Sequence, residues 1–350
     1  MKIVVLAGGL SAERNVSLAS GTAACRALRS RGHRAILVDM FMGLADLSGT
    51  DASIFDAPDG LCSDVSIDAC EPDLDAVRAA RGGGVSMFGK NVLRVCAMAD
   101  VVFLALHGAC GEDGRVQAAF DLLGIPYTGS GFLPSGLAMN KAHTKRIMES
   151  AGIRTPEWRD VFYGEADIER LSRELPVPCA VKTVDGGSSI GVRLVESRDE
   201  LADALRHVLR YGNHVVVERM VRGRELTVGI LGERYLPAVE IIPQDAAYFD
   251  YQAKYQQNGA KEVCPADITD AQQRAMGEAA LALHRALGLS VYSRADFILD
   301  ENGDAYCLET NTLPGMSPMS LLPKEAAAIG MDYAALCEAI VEESLKIKRI

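Results

Sequence analysis

The spacing of hydrophobic positions changes several times along this chain, and each change marks an element. Lys2–Ala7 is a short, nearly continuous apolar run, the pattern of a strand buried on both faces. Over 16–30 the apolar spacing becomes helical, and it stops before Gly32. Runs at 35–38 and 101–106 repeat the buried-strand pattern, and 116–123 repeats the helical one. Strands alternating with helices predict an open parallel sheet with helices on both faces. The stretch 42–81 scatters Pro, Gly and Asp and reads as an excursion from that sheet.

A boundary is expected near Gly131 to Pro134. Beyond it the pattern predicts a helix over 138–151, stopped by Gly152, then strands at 179–183 and 190–195 joined by Val184-Asp185-Gly186-Gly187-Ser188-Ser189. A helix over 198–209 and a strand at 215–217, ending at Glu218, complete a small α+β unit. From Glu225 the chain is strand-rich again (226–231, 238–242). A helix over 271–287, a hairpin and a last helix over 333–346 follow. The expected division is therefore 1–131, 132–222 and 223–350, an open α/β unit followed by two α+β pieces. No internal repeat is visible.

The hairpin carries the first candidate chemistry. Its strands flank Glu301-Asn302-Gly303-Asp304, and Asn-Gly is a strong turn signal. A turn centred on Asn302-Gly303 pairs 300 with 305, hence 296 with 309 and 294 with 311. Alternation then puts Arg294, Asp296, Glu309 and Asn311 on one face, and Phe297, Leu299, Tyr306 and Leu308 on the other as core. Carboxylates directly opposite each other repel. A hard cation would relieve that, since Asp, Glu and Asn oxygens suit Mg²⁺, and the neighbouring Arg suggests an anionic substrate. The hairpin alone leaves a plain exposed acidic end open.

Composition narrows the class. With 350 residues, 49% hydrophobic and 24% charged, the chain fits a globular protein of about two or three domains. A net charge of −11 argues against nucleic acid as the main partner, though a local basic cleft stays open. No apolar run is long enough for a membrane span, and the start reads as a first strand rather than a signal peptide. The nine cysteines (25, 62, 70, 96, 110, 179, 264, 307, 337) show no Cys-x-x-Cys spacing. They read as reduced, mostly buried small hydrophobes in a cytoplasmic protein.

Several further motifs carry chemistry only in combination. Lys182 precedes the Gly186-Gly187-Ser188-Ser189 loop, whose backbone N–H groups could cradle phosphate; a plain hairpin turn fits it as well. Gly8-Gly9-Leu10-Ser11-Ala12-Glu13 follows the first strand, where a helix start could hold an anion, yet the Gly-x-Gly-x-x-Gly of a dinucleotide site is absent. Glu13 could equally complement the helix dipole. His107 follows a buried strand at the end where open sheets bind ligands, and could equally be a structural histidine. The aromatic-polar run 248–255 reads as a loop able to close over a substrate. The turn-rich run 312–321 could present a Gly N–H to an oxyanion and a Ser hydroxyl to a carboxylate.

As a set these segments resemble the D-alanine–D-alanine ligases, of the ATP-grasp superfamily. The resemblance is carried by Gly8-Gly9-Leu10-Ser11-Ala12-Glu13-Arg14, Leu106-His107-Gly108 with Gly111-Glu112-Asp113-Gly114, Pro126-Tyr127-Thr128-Gly129-Ser130-Gly131, and Met139-Asn140-Lys141. It continues through Lys182 with Gly187-Ser188-Ser189-Ile190-Gly191, Asp250-Tyr251-Gln252-Ala253-Lys254-Tyr255, Arg294-Ala295-Asp296, and Glu309-Thr310-Asn311-Thr312-Leu313-Pro314-Gly315-Met316. It implies a two-part ATP-grasp fold after the N-terminal sheet, and ATP-dependent ligation of two D-alanines through an acyl phosphate. Lys141, Lys182 and Lys254 would meet ATP phosphates, with Gly187, Ser188 and Ser189 folding over them. Glu218 and the backbone of Met220 and Val221 would face adenine, and Glu225 the ribose. Asp296, Glu309 and Asn311 would hold two Mg²⁺ ions, Mn²⁺ being a possible substitute. Glu13 would hold the first D-alanine's ammonium, linked to the mobile loop by Ser188 and Tyr255, and His107 would line that pocket. Ser320 and Leu321 would hold the second D-alanine's carboxylate, and Arg294 with the Gly315 N–H would form an oxyanion hole. A homodimer is implied as well. The resemblance leaves open D-serine or D-lactate as second substrate, and a nucleotide-binding regulator without catalysis. In the phosphate loop, Thr183 and Asp185-Gly186 depart from the family pattern.

Overall fold

The structure is a computed structural model, and it describes residues 1–44, 51–62, 72–187, 191–243 and 260–349. The chain opens with a three-stranded parallel sheet in the order Arg34–Asp39, Lys2–Ala7, Val101–Leu104. The central strand is buried throughout except at Lys2, as its apolar run requires. The helix Arg14–Ser30 packs on it, and Val16, Ala24, Cys25 and Leu28 are among its buried residues. The expected open α/β unit is therefore present.

A four-stranded antiparallel sheet follows, ordered Trp158–Phe162, His214–Arg219, Cys179–Thr183, Val192–Val195. The helices Ile168–Glu174 and Arg198–Leu209 bury Ile168, Leu171, Leu201, Leu205 and Val208 against one of its faces. The third sheet is antiparallel and larger. Its path is Ala260–Val263, Val239–Pro243, Gly223–Leu231, Tyr292–Asp300, Ala305–Asn311. Its core face packs on Asp270–Ala286 through Met276, Ala280 and Leu283.

Two expectations are corrected, and one strand lies beyond them. The helix over 138–151 is two helices, Phe132–Met139 and Lys141–Ser150. Asn140 leaves helical geometry (φ −89, ψ 102), and its side chain accepts the His143 N–H at 2.9 Å, so an N-cap interrupts the apolar pattern. The strand Trp158–Phe162 gave no readable alternation because it lies at a sheet edge with Arg159 and Phe162 exposed. The second correction concerns the hairpin and is described with the site.

The helix Tyr333–Leu345 returns to the N-terminal sheet. Leu336, Cys337, Ile340 and Val341 join the same buried cluster as Ile3, Val5 and Leu28. No helix among the described residues is long and apolar enough to cross a membrane.

Candidate active site

The hairpin pairs Arg294 with Asn311 and Asp296 with Glu309, as the alternation predicts. The route to that register differs. Near the turn Leu299 pairs with Ala305, and the register shifts between Asp296 and Phe297. The turn is one residue longer than a two-residue Asn-Gly loop, with the Asp300 N–H donating to the Asp304 carbonyl at 3.0 Å. An extra residue at Leu308 makes up the difference as a β-bulge. The core face is therefore Ala295, Phe297, Leu299 and Cys307. Tyr306 and Leu308, expected in the core, are half-buried with Ile298 and belong to the face of the acids.

On that face opposite charges interleave. Arg294 Nε and Nη2 donate to the two oxygens of Asp296 at 2.8 and 2.9 Å. The Thr227 hydroxyl donates to Asp296 Oδ1 at 2.7 Å, and Asn311 Nδ2 lies 3.5 Å from Oδ2. Lys141 Nζ is 3.2 Å from Glu309. The same ammonium donates to the Gly186 carbonyl at 2.5 Å, and the Lys141 N–H to the Val184 carbonyl at 2.8 Å. The start of the helix Lys141–Ser150 thus grips the base of the glycine-serine loop. Asp296, Glu309 and Asn311 bring carboxylate and amide oxygens to one face of the hairpin, a donor set that suits a hard divalent cation. Burial opposes the Arg294 charge, but Asp296 beside it outweighs that and raises its pKa.

Behind the loop lies a buried ion triad. Glu218 is 3.0 Å from Lys145 and 2.9 Å from Lys182. Burial opposes the Glu218 charge, yet the two ammonium groups outweigh it and lower its pKa. Lys182 is raised, because Glu218 and Glu309 overcome desolvation, whereas for Lys145 desolvation wins and lowers it. Lys145 is fully buried and also donates to the Thr155 hydroxyl at 2.7 Å, which donates in turn to the Cys307 carbonyl at 2.8 Å. This lysine ties the central sheet to the acidic hairpin. Its residue type and spacing carried no local signal, so the sequence reading missed it.

The N-terminal unit contributes a second cluster. Glu13 stands at the N-terminus of Arg14–Ser30 and is buried. Arg14, just inside the helix, donates to the Gly9 carbonyl at 2.6 Å and pairs with Asp39, which pins the glycine turn. A Cβ on Gly108 would lie 3.0 Å from Glu13 Oε2, and one on Gly187 would lie 3.6 Å away. The first-strand motif, the histidine motif and the phosphate loop therefore converge on one carboxylate. His107 is buried, and desolvation lowers its pKa against the pull of Glu13. Glu112, absent from the candidate residues although its motif was noted, accepts the Gly108 N–H at 2.8 Å. Burial and the neighbouring Glu13 push it up to about 8.

The remaining candidates are arranged around these clusters. The Ser320 hydroxyl accepts the Ser317 N–H at 3.1 Å and meets the Ser317 hydroxyl at 2.8 Å. It stands at the start of Leu321–Ala328, with Leu321 buried and Gly315 packed against it. Glu225 shares a strand with Thr227, two positions away. Met220 and Val221 line a cavity of about 530 Å³ with Tyr306 and Asn302, at the turn end of the hairpin. Ser188, Ser189, Lys254 and Tyr255 lie outside the described residues. A second carboxyl the sequence reading missed is Glu325. It is fully buried, accepts the Gly229 N–H at 3.0 Å, and is held well above the usual carboxylate range by burial, which outweighs nearby Arg294.

Known proteins match this chain along nearly its whole length. A family model described as D-ala D-ala ligase N-terminus matches residues 2–130, and one described as D-ala D-ala ligase C-terminus matches 147–342. The chain is similar to a D-alanine–D-alanine ligase of Pediococcus pentosaceus, 42% identical over 343 residues and covering 97% of each chain. Among solved structures it resembles the Bacillus anthracis D-alanine–D-alanine ligase complexed with ATP (TM-score 0.70, 30% identity, 99% of this chain and 98% of that one). It also resembles the VanG D-Ala:D-Ser ligase of Enterococcus faecalis (TM-score 0.75, 27% identity, 98% and 99%).

Proposed function

Because this chain belongs to the D-alanine–D-alanine ligase family, we propose that its acidic hairpin and its Glu13–His107 cluster form one active site. There, ATP drives the joining of two D-alanines into D-alanyl-D-alanine, a precursor for peptidoglycan. The observation that carries this reading is the convergence of cations on the two carboxylates, Arg294 on Asp296 and Lys141 on Glu309, with the loop that Lys141 grips at Gly186 reaching the buried Glu13 at Gly187.

In this reading the first D-alanine's carboxylate attacks the γ-phosphate, and its ammonium rests on Glu13 near His107. Phosphoryl transfer needs alignment and charge neutralisation more than covalent help. Lys141 and Lys182 supply cations from the two sides of the loop, with Gly187, Ser188, Ser189 and Lys254 closing over the phosphates. Mg²⁺ bound at Asp296, Glu309 and Asn311, as two ions or with Mn²⁺ in its place, would add Lewis-acid charge at the transferred phosphoryl group. Ile298, Tyr306 and Leu308 offer a half-buried apolar floor for the adenine, with the backbone of Met220 and Val221 at its edge and Glu225 toward the ribose. Glu218 serves that pocket chiefly by fixing Lys182 and Lys145. The second D-alanine's carboxylate sits at Ser320 and the Leu321 N–H. Its amine then attacks the acyl phosphate, and Arg294 with the Gly315 N–H steadies the tetrahedral oxyanion. Ser188 and Tyr255 link Glu13 to a closing loop that keeps water from the acyl phosphate.

The likeness to VanG supports one alternative, D-serine as second substrate; D-lactate is the other. Lys254-Tyr255 in the sequence favours D-alanine. Purified enzyme given ATP, Mg²⁺ and D-alanine, D-serine and D-lactate together is expected to make D-alanyl-D-alanine with stoichiometric ADP and phosphate. A mixed product in excess would move the assignment to the alternative, and no dipeptide at all would refute it. The division at 131 and 222, a cytoplasmic location and a homodimer belong to the same proposal. The first boundary is supported by the gap between the matched segments, at 131–146.

A further inference from the structure

Away from the acidic hairpin, two cysteines meet. Cys25 is fully buried on the inner face of Arg14–Ser30, and Cys62 is half-buried beyond the 3₁₀ turn Asp51–Asp56. Both thiols donate to the same acceptor, the Gly60 carbonyl oxygen, each sulfur at 3.8 Å from it. The approach depends on Gly60, which has φ +61; a Cβ there would stand 3.2 Å from the Cys25 sulfur and 2.7 Å from the Ala35 carbonyl oxygen. The Gly60 carbonyl also accepts the Leu37 N–H at 2.7 Å, so the turn is locked to the edge of the parallel sheet.

Arg29 holds the same turn. Its guanidinium donates to the carbonyls of Ala35 at 2.9 Å, Ala57 at 3.0 Å and Pro58 at 2.8 Å. With exposed Arg26 it sets positive charge beside the sulfurs, the environment that favours a thiolate. The neighbouring Cys25 thiol, helped by the arginines, brings Cys62 down to about 7, while Cys25 is pushed far up. Burial instead raises the thiols of Cys96, Cys179, Cys264, Cys307 and Cys337. One sulfur of the pair is thus disposed to ionise and partly reachable, and the other stays protonated on the same carbonyl oxygen.

We propose that Cys25 and Cys62 form a peroxide-responsive dithiol that closes to a disulfide. The Cys62 thiolate attacks one oxygen of a hydroperoxide. The O–O bond breaks, Cys62 becomes a sulfenic acid, and the departing oxygen leaves as an alcohol or water after taking a proton. The Cys25 sulfur then attacks the sulfenic sulfur. The S–S bond forms, the S–O bond breaks, and the hydroxyl leaves as water with the Cys25 proton. Two thiols are oxidised by two electrons, and the peroxide is reduced by two. The bond would tie the turn around Gly60 covalently to the helix that begins beside Glu13.

The test is exposure of the full chain to hydrogen peroxide, thiol blocking, and peptide mapping without reductant. A Cys25–Cys62 cross-link that dithiothreitol removes is expected. In Cys25→Ser the cross-link disappears and dimedone labels Cys62; Cys62→Ser shows neither. Cys25→Ala serves the same purpose if the serine variant folds poorly. A cross-link from Cys62 to Cys70 or to any other cysteine would overturn the assignment, as would a Cys62 that stays fully alkylable after peroxide.

Discussion

Asp296 and Glu309 face each other across a strand pair, and only the cations around them make that tolerable. Arg294 binds Asp296 through two nitrogens, and Lys141 reaches Glu309 at 3.2 Å. If these acids hold the metal for phosphoryl transfer, Glu309→Gln and Asn311→Ala should each lower turnover about a hundredfold with little change in melting temperature. ADP release beside a thermal melt measures both, and unchanged turnover would refute the metal assignment. This group was legible in the sequence because strand parity is local: residues two apart share a face. Lys145, Glu112 and Glu325 were not, because their partners lie far along the chain. Nothing near Lys145 announces that its ammonium will be buried on Glu218, and nothing near Glu325 announces Gly229.

At the level of elements, the large sheet meets the helix Leu321–Ala328 at that Gly229–Glu325 contact. Any Cβ at 229 would collide with the Glu325 carboxyl and with Leu322. Gly229→Ala should therefore cost about 1–3 kcal/mol by overpacking, and Gly229→Ala with Glu325→Ala should recover much of it. Urea unfolding of Gly229→Ala, Glu325→Ala and the double variant measures the coupling; additive losses would show that Leu322 or the strand, rather than the carboxyl, rejects the methyl group. Most strands and helices were readable from periodicity, since long apolar runs and helical spacing are strong signals. The failures share a cause. Asn140 reads as a tolerable helix residue until its side chain caps the next helix, and the bulge at Leu308 adds a residue without disturbing the hydrophobic pattern on either side.

Across the whole molecule, the last helix belongs in space to the first sheet. Ile340 and Val341 are fully buried in the cluster built on Ile3, Val5 and Leu28. Glu338 meets Arg31 at 2.5 Å and His33 at 3.1 Å. The apolar contact should dominate, because exposed ion pairs contribute little. Ile340→Ala is expected to cost about 2–5 kcal/mol and to speed amide exchange in Lys2–Ala7. Protection unchanged in that strand would show that the sheet holds without its distant helix. The sequence order 1–131, 132–222, 223–350 could not show this closure, since a contact spanning most of the chain has no local signature.

The bulge at Leu308 has one more consequence, for spacing. In a regular strand, neighbouring side chains on one face stand two residues apart, about 6.6 Å. With the extra residue, the apolar Leu308 and the acidic Glu309 share a face at successive positions, about 3.3 Å apart along the strand. The strand so becomes a short ruler that seats a flat, oily surface directly against a charged one. In the proposed site, a molecule with an aromatic head and an anionic tail would be measured by that ruler; straightening the strand by deleting Leu308 would keep the pairing of 296 with 309 and lose the measure.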